Sequence, residues 1–421
     1  MTGGSGALSD LAAQARSAGT SRTHGVTPCS SELRAADPAP VAGGPTIGLT
    51  FSGGGFRATF ASLGVIRMLS DAGLLGQLRY VSSVSGGSLA NAMLATRWPE
   101  LRAAGFSNGA VDDLVVGPVS ARVVENSLEK RLLLNIWRTI GKSTRTDVLA
   151  WAFDAWWLHG AELEDLDAQC RWIFNAGNLA TGVRFGFERD VVGDYVTGLA
   201  STSRSGLRVA QAAAASAAVP GAFAEMKIDQ VSFPCNESGV PRLLDGGTYD
   251  NTGLEALDHD RYCDVFTISI DSGGIFVPGR FGGLPVIKDL QRANSMLYRQ
   301  STGLRTRWMI ERFEAFERAP DPSSPPVGAR RGVLFGLATT VGPSGRPVMS
   351  DRYEEFAAAF PERRSHAGTD LSLMPTVFAK LERSLVEALV YRGWWLTGAM
   401  LAQCYPDLMP PAASLKPPPV S

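Results

Sequence analysis

The chain has 421 residues, 45% of them hydrophobic, with 40 basic against 41 acidic side chains. That length buries one large α/β core or two ordinary ones, and a formal net charge of −1, with its positive charge almost wholly scattered arginine, excludes the basic block that nucleic acid requires. Cys29, Cys170, Cys235, Cys263 and Cys404 are odd in number and lack CxxC spacing, which speaks against a disulfide framework or a zinc site and favours a reducing compartment.

Residues 1–44 are rich in Gly, Ser, Ala, Thr and Pro, too poor in large apolar groups to offset the entropy of ordering, and read as a loose tail without a secretory signal. TIGLTF then reads as a strand over 46–51 and is followed by three glycines and a helix from about Phe56 to Ala72. A short strand at Tyr80 to Val84 runs into a helix from Gly86 to Thr96. This alternation predicts a βαβ unit and a largely parallel sheet.

A mostly helical insertion over about 100–170 holds Trp137, Trp151, Trp156 and Trp157; such tryptophans form ordinary core, a cap over an apolar pocket, or a surface that touches membrane. RWIFNAG and GVRFGFE form a strand pair around a turn at Gly177 to Gly182, and DVFTISID forms a buried strand over 264–271. A long helical pattern from Pro375 to Gln403 closes the domain before a Pro-rich tail at 406–421. VAQAAAASAAVPGAFA, the longest charge-free apolar stretch, is interrupted by Pro220 and too short to span a bilayer.

Three stretches can carry chemistry. Gly53, Gly54 and Gly55 lie between strand and helix, where bare backbone N–H groups beside a helix N-terminus hold a phosphate or an oxyanion. A dinucleotide site needs a glycine at Ala58 and an acid where Ser82 and Ser83 stand, and it has neither. In SVSGGS, a β-branched strand delivers Ser85 into Gly86 and Gly87, the layout of a nucleophile elbow, with Ser83 in place of the first glycine of GxSxG. Ser82, Ser83 and Ser88 read as backbone hydrogen-bonding or capping groups.

A serine needs a base. His24, His159, His259 and His366 lack the surroundings of a buried, oriented imidazole, whereas LLDGG delivers Asp245 into a glycine turn where an apolar setting raises its basicity. The alternative is an Asp that merely opens a tight turn. Asp271 is the runner-up carboxylate, and Asp250 and Asn251 read as turn or cap residues.

Together these stretches resemble the patatin-like phospholipases, a family that includes the cytosolic phospholipase A2 catalytic domains. SGGGFRA (Ser52 to Ala58) is similar to its glycine-rich oxyanion motif, SVSGGS to its elbow and LLDGG to its Asp-Gly-Gly/Ala motif, in the family's order. FNAGNLATGVRFGF and AAASAAVPGAF resemble further landmarks, and the likeness spreads over roughly residues 46–275. It implies a three-layer α/β/α domain over 45–405 with a mostly parallel central sheet and a helical cap-like insertion. It also implies a Ser/Asp dyad, with Ser85 as nucleophile, Asp245 as base and the N–H groups around Gly53, Gly54 and Gly55 as oxyanion hole. Arg57 becomes a candidate for orienting a lipid phosphate, or pairs with a local carboxylate. No metal or organic cofactor is required, and no nucleic acid is expected. The expected partner is a lipid or phospholipid substrate, and the expected location is the cytoplasm or the periphery of a membrane. A patatin-like fold kept as a regulatory or interaction module is the alternative.

Overall fold

The computed structural model describes residues 28–30, 33–140, 143–235, 239–274, 285–321, 323–341 and 349–419; most of the segment expected to be a loose tail, residues 1–27, lies outside these. The helices are α1 (Gly55–Asp71), α2 (Gly86–Thr96), α3 (Trp98–Ala103), α4 (Asn108–Val111), α5 (Gly117–Glu125), α6 (Leu128–Leu134), α7 (Arg145–Phe153), α8 (Val209–Ser216), α9 (Pro285–Glu317), α10 (Asp351–Ala359) and α11 (Arg383–Cys404). The main sheet holds β1 (Ile47–Phe51), β2 (Leu78–Val84), β3 (Arg171–Asn178), β4 (Val183–Phe187), β5 (Val191–Asp194), β6 (Gly198–Ser201), β7 (Met226–Lys227), β8 (Arg242–Asp245), β9 (Phe266–Asp271) and β10 (Gly332–Gly336).

The sheet order is β10-β9-β1-β2-β3-β4-β5-β6. From β10 to β3 every pair is parallel, and from β3 to β6 every pair is antiparallel. The parallel strands read as continuous apolar runs because helices cover both faces. On one face, Leu49, Val81, Trp172 and Val333 join a large core with α1, α2, α8 and α11. On the other, Tyr80 and Ile173 pack under the turns around Leu257 and Tyr262, and Leu334 meets Met309 and Phe313 of α9. The expected three-layer arrangement is present, with an antiparallel wing added to the mostly parallel sheet.

α1 crosses α11 at a glycine contact. A Cβ on Gly64 would lie 2.1 Å from the Val390 carbonyl oxygen, and one on Gly393 would lie 2.0 Å from that of Ala61. The backbones touch there, which lets both helices press on the sheet together.

β3 is the pivot of the fold. β2 pairs along its first half, ending at Val84 opposite Asn175, and β8 takes over with Asp245 opposite Ala176. β4 occupies the other edge over the same residues, so β2 and β8 share one edge of β3 end to end.

Two expectations change. Cys29 and Cys235 form a disulfide across 206 residues of sequence, while Cys29 N–H donates to Tyr195 O at 2.7 Å and Cys235 N–H to Thr197 O at 3.0 Å, so the bond fastens both segments to the β5–β6 hairpin. The scatter of cysteines therefore gives no support to a reducing compartment. The long C-terminal helix begins at Arg383, not Pro375, because Val377 O and Phe378 O accept from Phe56 N–H and Glu129 N–H and hold that stretch extended. No helix among the described residues is long and apolar enough to cross a membrane.

Candidate active site

Ser85 lies where β2 gives way to α2, at φ 51° and ψ −120°. This strained turn lifts the side chain off the sheet. Its N–H donates to both Ser216 O at 3.1 Å and Ser216 Oγ at 2.9 Å, and Ser216 Oγ in turn donates to Asn175 O at 2.6 Å. Behind the elbow, Ser83 Oγ accepts from Ser88 Oγ at 3.0 Å and from Asn91 Nδ2 at 2.8 Å. The serine that replaces the usual glycine thus ties strand to helix.

Asp245 ends β8 and stands beside Ser85 at the β2/β8 seam. Its Oδ1 accepts from Gly247 N–H at 2.7 Å, and it lines the same cavity as Ser85. Burial pushes its pKa up to about 6, against the opposing pull of the Gly247 N–H and Ser85. Gly246 is required behind it, since a Cβ would come 2.3 Å from Asn175 O on β3.

Two helix N-termini converge on Ser85. Gly54 is the N-cap of α1 and Ser85 that of α2; neither makes a side-chain capping bond, and neither helix has an acid in its first turn. The helix ends are in contact, because Gly86 carries no Cβ that would strike Gly55 O at 2.0 Å. Gly53 N–H donates to Asn251 O at 3.0 Å. The N–H groups of Gly54, Gly55 and Gly86 have no partner among the described residues. Free donors at uncapped helix ends form a site for negative charge.

Ser85 and Asp245 lie at the base of a cavity of about 900 Å³, walled by Val219, Pro220, Tyr249 and Thr376 and by Leu297, Tyr298 and Leu304 of α9. Arg57 does not line it. Buried behind the glycine turn, its Nε donates to Ser272 O at 3.0 Å, its Nη1 to Met374 O and its Nη2 to Thr376 Oγ1 at 3.2 Å. These bonds clamp the extended 374–378 segment against the turn.

The other candidates stand apart. Asp271 accepts from Gly273 N–H at 2.8 Å and faces Ser52 and Arg57, outside the cavity wall. His159 is exposed, His259 Nδ1 accepts from Arg261 N–H, and His366 Nε2 meets Ser384 Oγ at 2.9 Å; His24 lies outside the described residues. No group of three or more His, Cys, Asp or Glu among the described residues could hold a metal.

Sequence reasoning missed Ser216 and undervalued Asn251. Ser216 sits in an alanine run whose only signal is its single hydroxyl. Asn251 is 3% exposed and lines the cavity; its Oδ1 fits where Gly53 and Gly247 lack side chains, and its Nδ2 is buried without a hydrogen-bond partner among the described residues.

The family model described as patatin-like phospholipase matches residues 49–258, which contain the elbow, the glycine turn and Asp245. No curated protein matches the chain in sequence. Among solved structures, the chain is similar to human GIVD cytosolic phospholipase A2 at 14% identity and a TM-score of 0.48, covering 84% of this chain and 58% of that one. The same enzyme in complex with methyl gamma-linolenyl fluorophosphonate gives 16% identity and a TM-score of 0.46, covering 86% and 59%. VipD from Legionella pneumophila gives 13% and 0.30, covering 76% and 68%. The chain therefore spans less than two-thirds of the length of the phospholipase A2 chains.

Proposed function

Given that the chain belongs, through residues 49–258, to the patatin-like phospholipase family, we propose that it is a serine lipid acyl hydrolase working through Ser85 and Asp245. Asp245 takes the Ser85 proton as Oγ attacks a fatty acyl carbonyl carbon. The carbonyl oxygen becomes an oxyanion between the N–H groups of Gly54, Gly55 and Gly86, in the field of two helix N-termini. Its collapse breaks the ester C–O bond; Asp245 returns the proton to the departing alcohol, and an acyl-serine remains. Water then attacks the acyl carbon, Asp245 accepts its proton and passes it to Ser85 Oγ, and the fatty acid leaves. Gly53 contributes by leaving room for Asn251, and Arg57 by bracing the turn through Met374 and Thr376.

One observation carries this reading: a buried carboxylate with a raised pKa that shares a cavity with a serine at a strained elbow, whose side chain pulls against that rise. At neutral pH such a carboxylate is ionised and more basic than an ordinary aspartate. The partly apolar cavity is large enough for an acyl chain.

A fluorophosphonate probe is expected to label wild-type protein at Ser85 and to leave the folded Ser85→Ala protein unlabelled. Folded wild type that takes no label and releases no fatty acid from any phospholipid or lysophospholipid would be a non-catalytic module, and the reading would fall.

A further inference from the structure

The helical insertion divides its tryptophans. Trp156 and Trp157 are core, while Trp137 is 59% exposed. Around Trp137 stand Leu133 at 69%, Leu134 at 77%, Ile136 at 41% and Ile140 at 83% exposure, all within eight residues. Water-facing apolar side chains at this density mark a surface that meets another phase or partner.

The cations beside them are unusual. The Arg138 guanidinium lies 4.0 Å from the Trp151 ring centroid and 5.1 Å from that of Trp137; that of Arg131 lies 4.4 Å from Trp151 and 5.1 Å from Trp156, and that of Arg122 lies 5.7 Å from Trp156. Among the described residues none of the three has a carboxylate partner, and Nε of Arg131 and of Arg138 is buried without a hydrogen bond. Burial and repulsion from Arg122 and Arg138 pull the Arg131 pKa down. Clustered arginines stacked on tryptophan and lacking counter-charge leave donors for an anion from outside.

The position is equally specific. Leu132, Leu133 and Ile136 line a groove of about 220 Å³ with Ala222 and Phe223. Phe223 pairs with Pro220, which together with Val219 walls the Ser85 cavity. Glu129, at the start of α6, exchanges hydrogen bonds with Phe378, two residues beyond the cavity residue Thr376. The face is thus bound to both sides of the catalytic mouth.

We propose that residues 131–140, with Arg122 and Trp151, form a docking face for an anionic phospholipid surface. The choice of occupant rests on the lipid-hydrolase reading. Trp137, Leu133, Leu134 and Ile140 enter the headgroup boundary, and the arginines meet lipid phosphates and carboxylates. An apolar protein partner explains the leucines but leaves three arginines uncompensated, whereas an anionic bilayer satisfies both. Docking there brings lipid to the 219–223 rim of the cavity.

The test is sedimentation with vesicles of phosphatidylcholine alone or with about a third phosphatidylserine. Wild type is expected to favour the anionic vesicles and to lose binding as salt is raised. Trp137→Ala/Ile140→Ser and Arg131→Gln/Arg138→Gln should each weaken partition by about tenfold or more, while hydrolysis of a soluble short-chain ester stays within about twofold of wild type. Leu134→Ser, outside the arginine stack, covers the case in which the arginine pair fails to fold. Unchanged binding by the folded variants, equal wild-type binding to both vesicles, or no binding at all overturns the proposal. So does a dimer of wild type that these substitutions dissolve. Vesicle binding that survives with no Ser85 labelling overturns the hydrolase reading and leaves the docking face standing.

Discussion

The two halves of the sheet hold together by different means. From β10 to β3 the strands are parallel and lie beneath long buried helices, with α1 and α11 in backbone contact at Gly64 and Gly393. From β3 to β6 they are short and antiparallel, and are secured by the Cys29–Cys235 disulfide and by ion pairs such as Arg171 with Glu188 and Asp37. Ser85 belongs to the first half, and Asp245 arrives on β8 against the pivot strand between the two. The proposed dyad therefore joins a stiff element to one set by a hairpin-rich wing. Precision comes from their shared edge of β3.

The comparison breaks most visibly at the dyad. Asp245→Asn is expected to lower ester hydrolysis by about four orders of magnitude, while a thermal melt at pH 7 shows equal or greater stability. The sign follows from the pKa raised to about 6 from 3.8. The folded state binds this proton more tightly than the unfolded state, so the group's contribution is complete below about pH 4 and lost as pH rises through 6. For the same reason wild-type kcat/KM should fall about tenfold per pH unit below 6, where the base is protonated. A flat profile from pH 5 to 7 would remove Asp245 from the role.

In the parallel half, Gly393→Val forces a branched side chain into the Ala61 carbonyl and is expected to cost about 3 kcal/mol in denaturant melts. In the antiparallel half, Cys29→Ser removes the staple and should cost about 2 kcal/mol, with the loss of hydrogen-exchange protection confined to β5, β6 and the strands beside them. Protection lost equally in β1 and β9 would mean that the halves unfold as one. The smallest effect is expected at Ser83→Gly, which restores the usual elbow glycine but leaves Ser88 and Asn91 short of an acceptor. About 1 kcal/mol of stability should be lost with kcat nearly unchanged.

Much of this was legible because the parallel half writes itself locally. TIGLTF, YVSSV and DVFTISID are continuous apolar or β-branched runs, each ending in small residues, and the structure places them as neighbours around β1. The proposed site inherits that clarity, since Ser85, Asp245 and the three glycines all occupy strand-to-turn junctions. The 33-residue α9 was not legible: its LYRQSTGLRTRW segment breaks the apolar stripe with arginines, small polar residues and Gly303. Arg57 misled because nothing in SGGGFRA shows that carbonyls from residues 272 and 374 receive its donors. The disulfide was invisible for the same reason, as its partners are brought together by hydrogen bonds to Tyr195 and Thr197 in the β5–β6 turn.

The glycine turn also bears on the order in which the chain becomes competent. The neighbour of β1, β9, is made more than two hundred residues after it, and the 374–378 segment that Arg57 clamps comes later still. A ribosome-bound chain that has made only the elbow and the Asp245 turn still lacks the brace on Gly54 and Gly55. The proposed hydrolysis would then begin only after the 374–378 segment has been made, a delay written into strand order and needing no inhibitor.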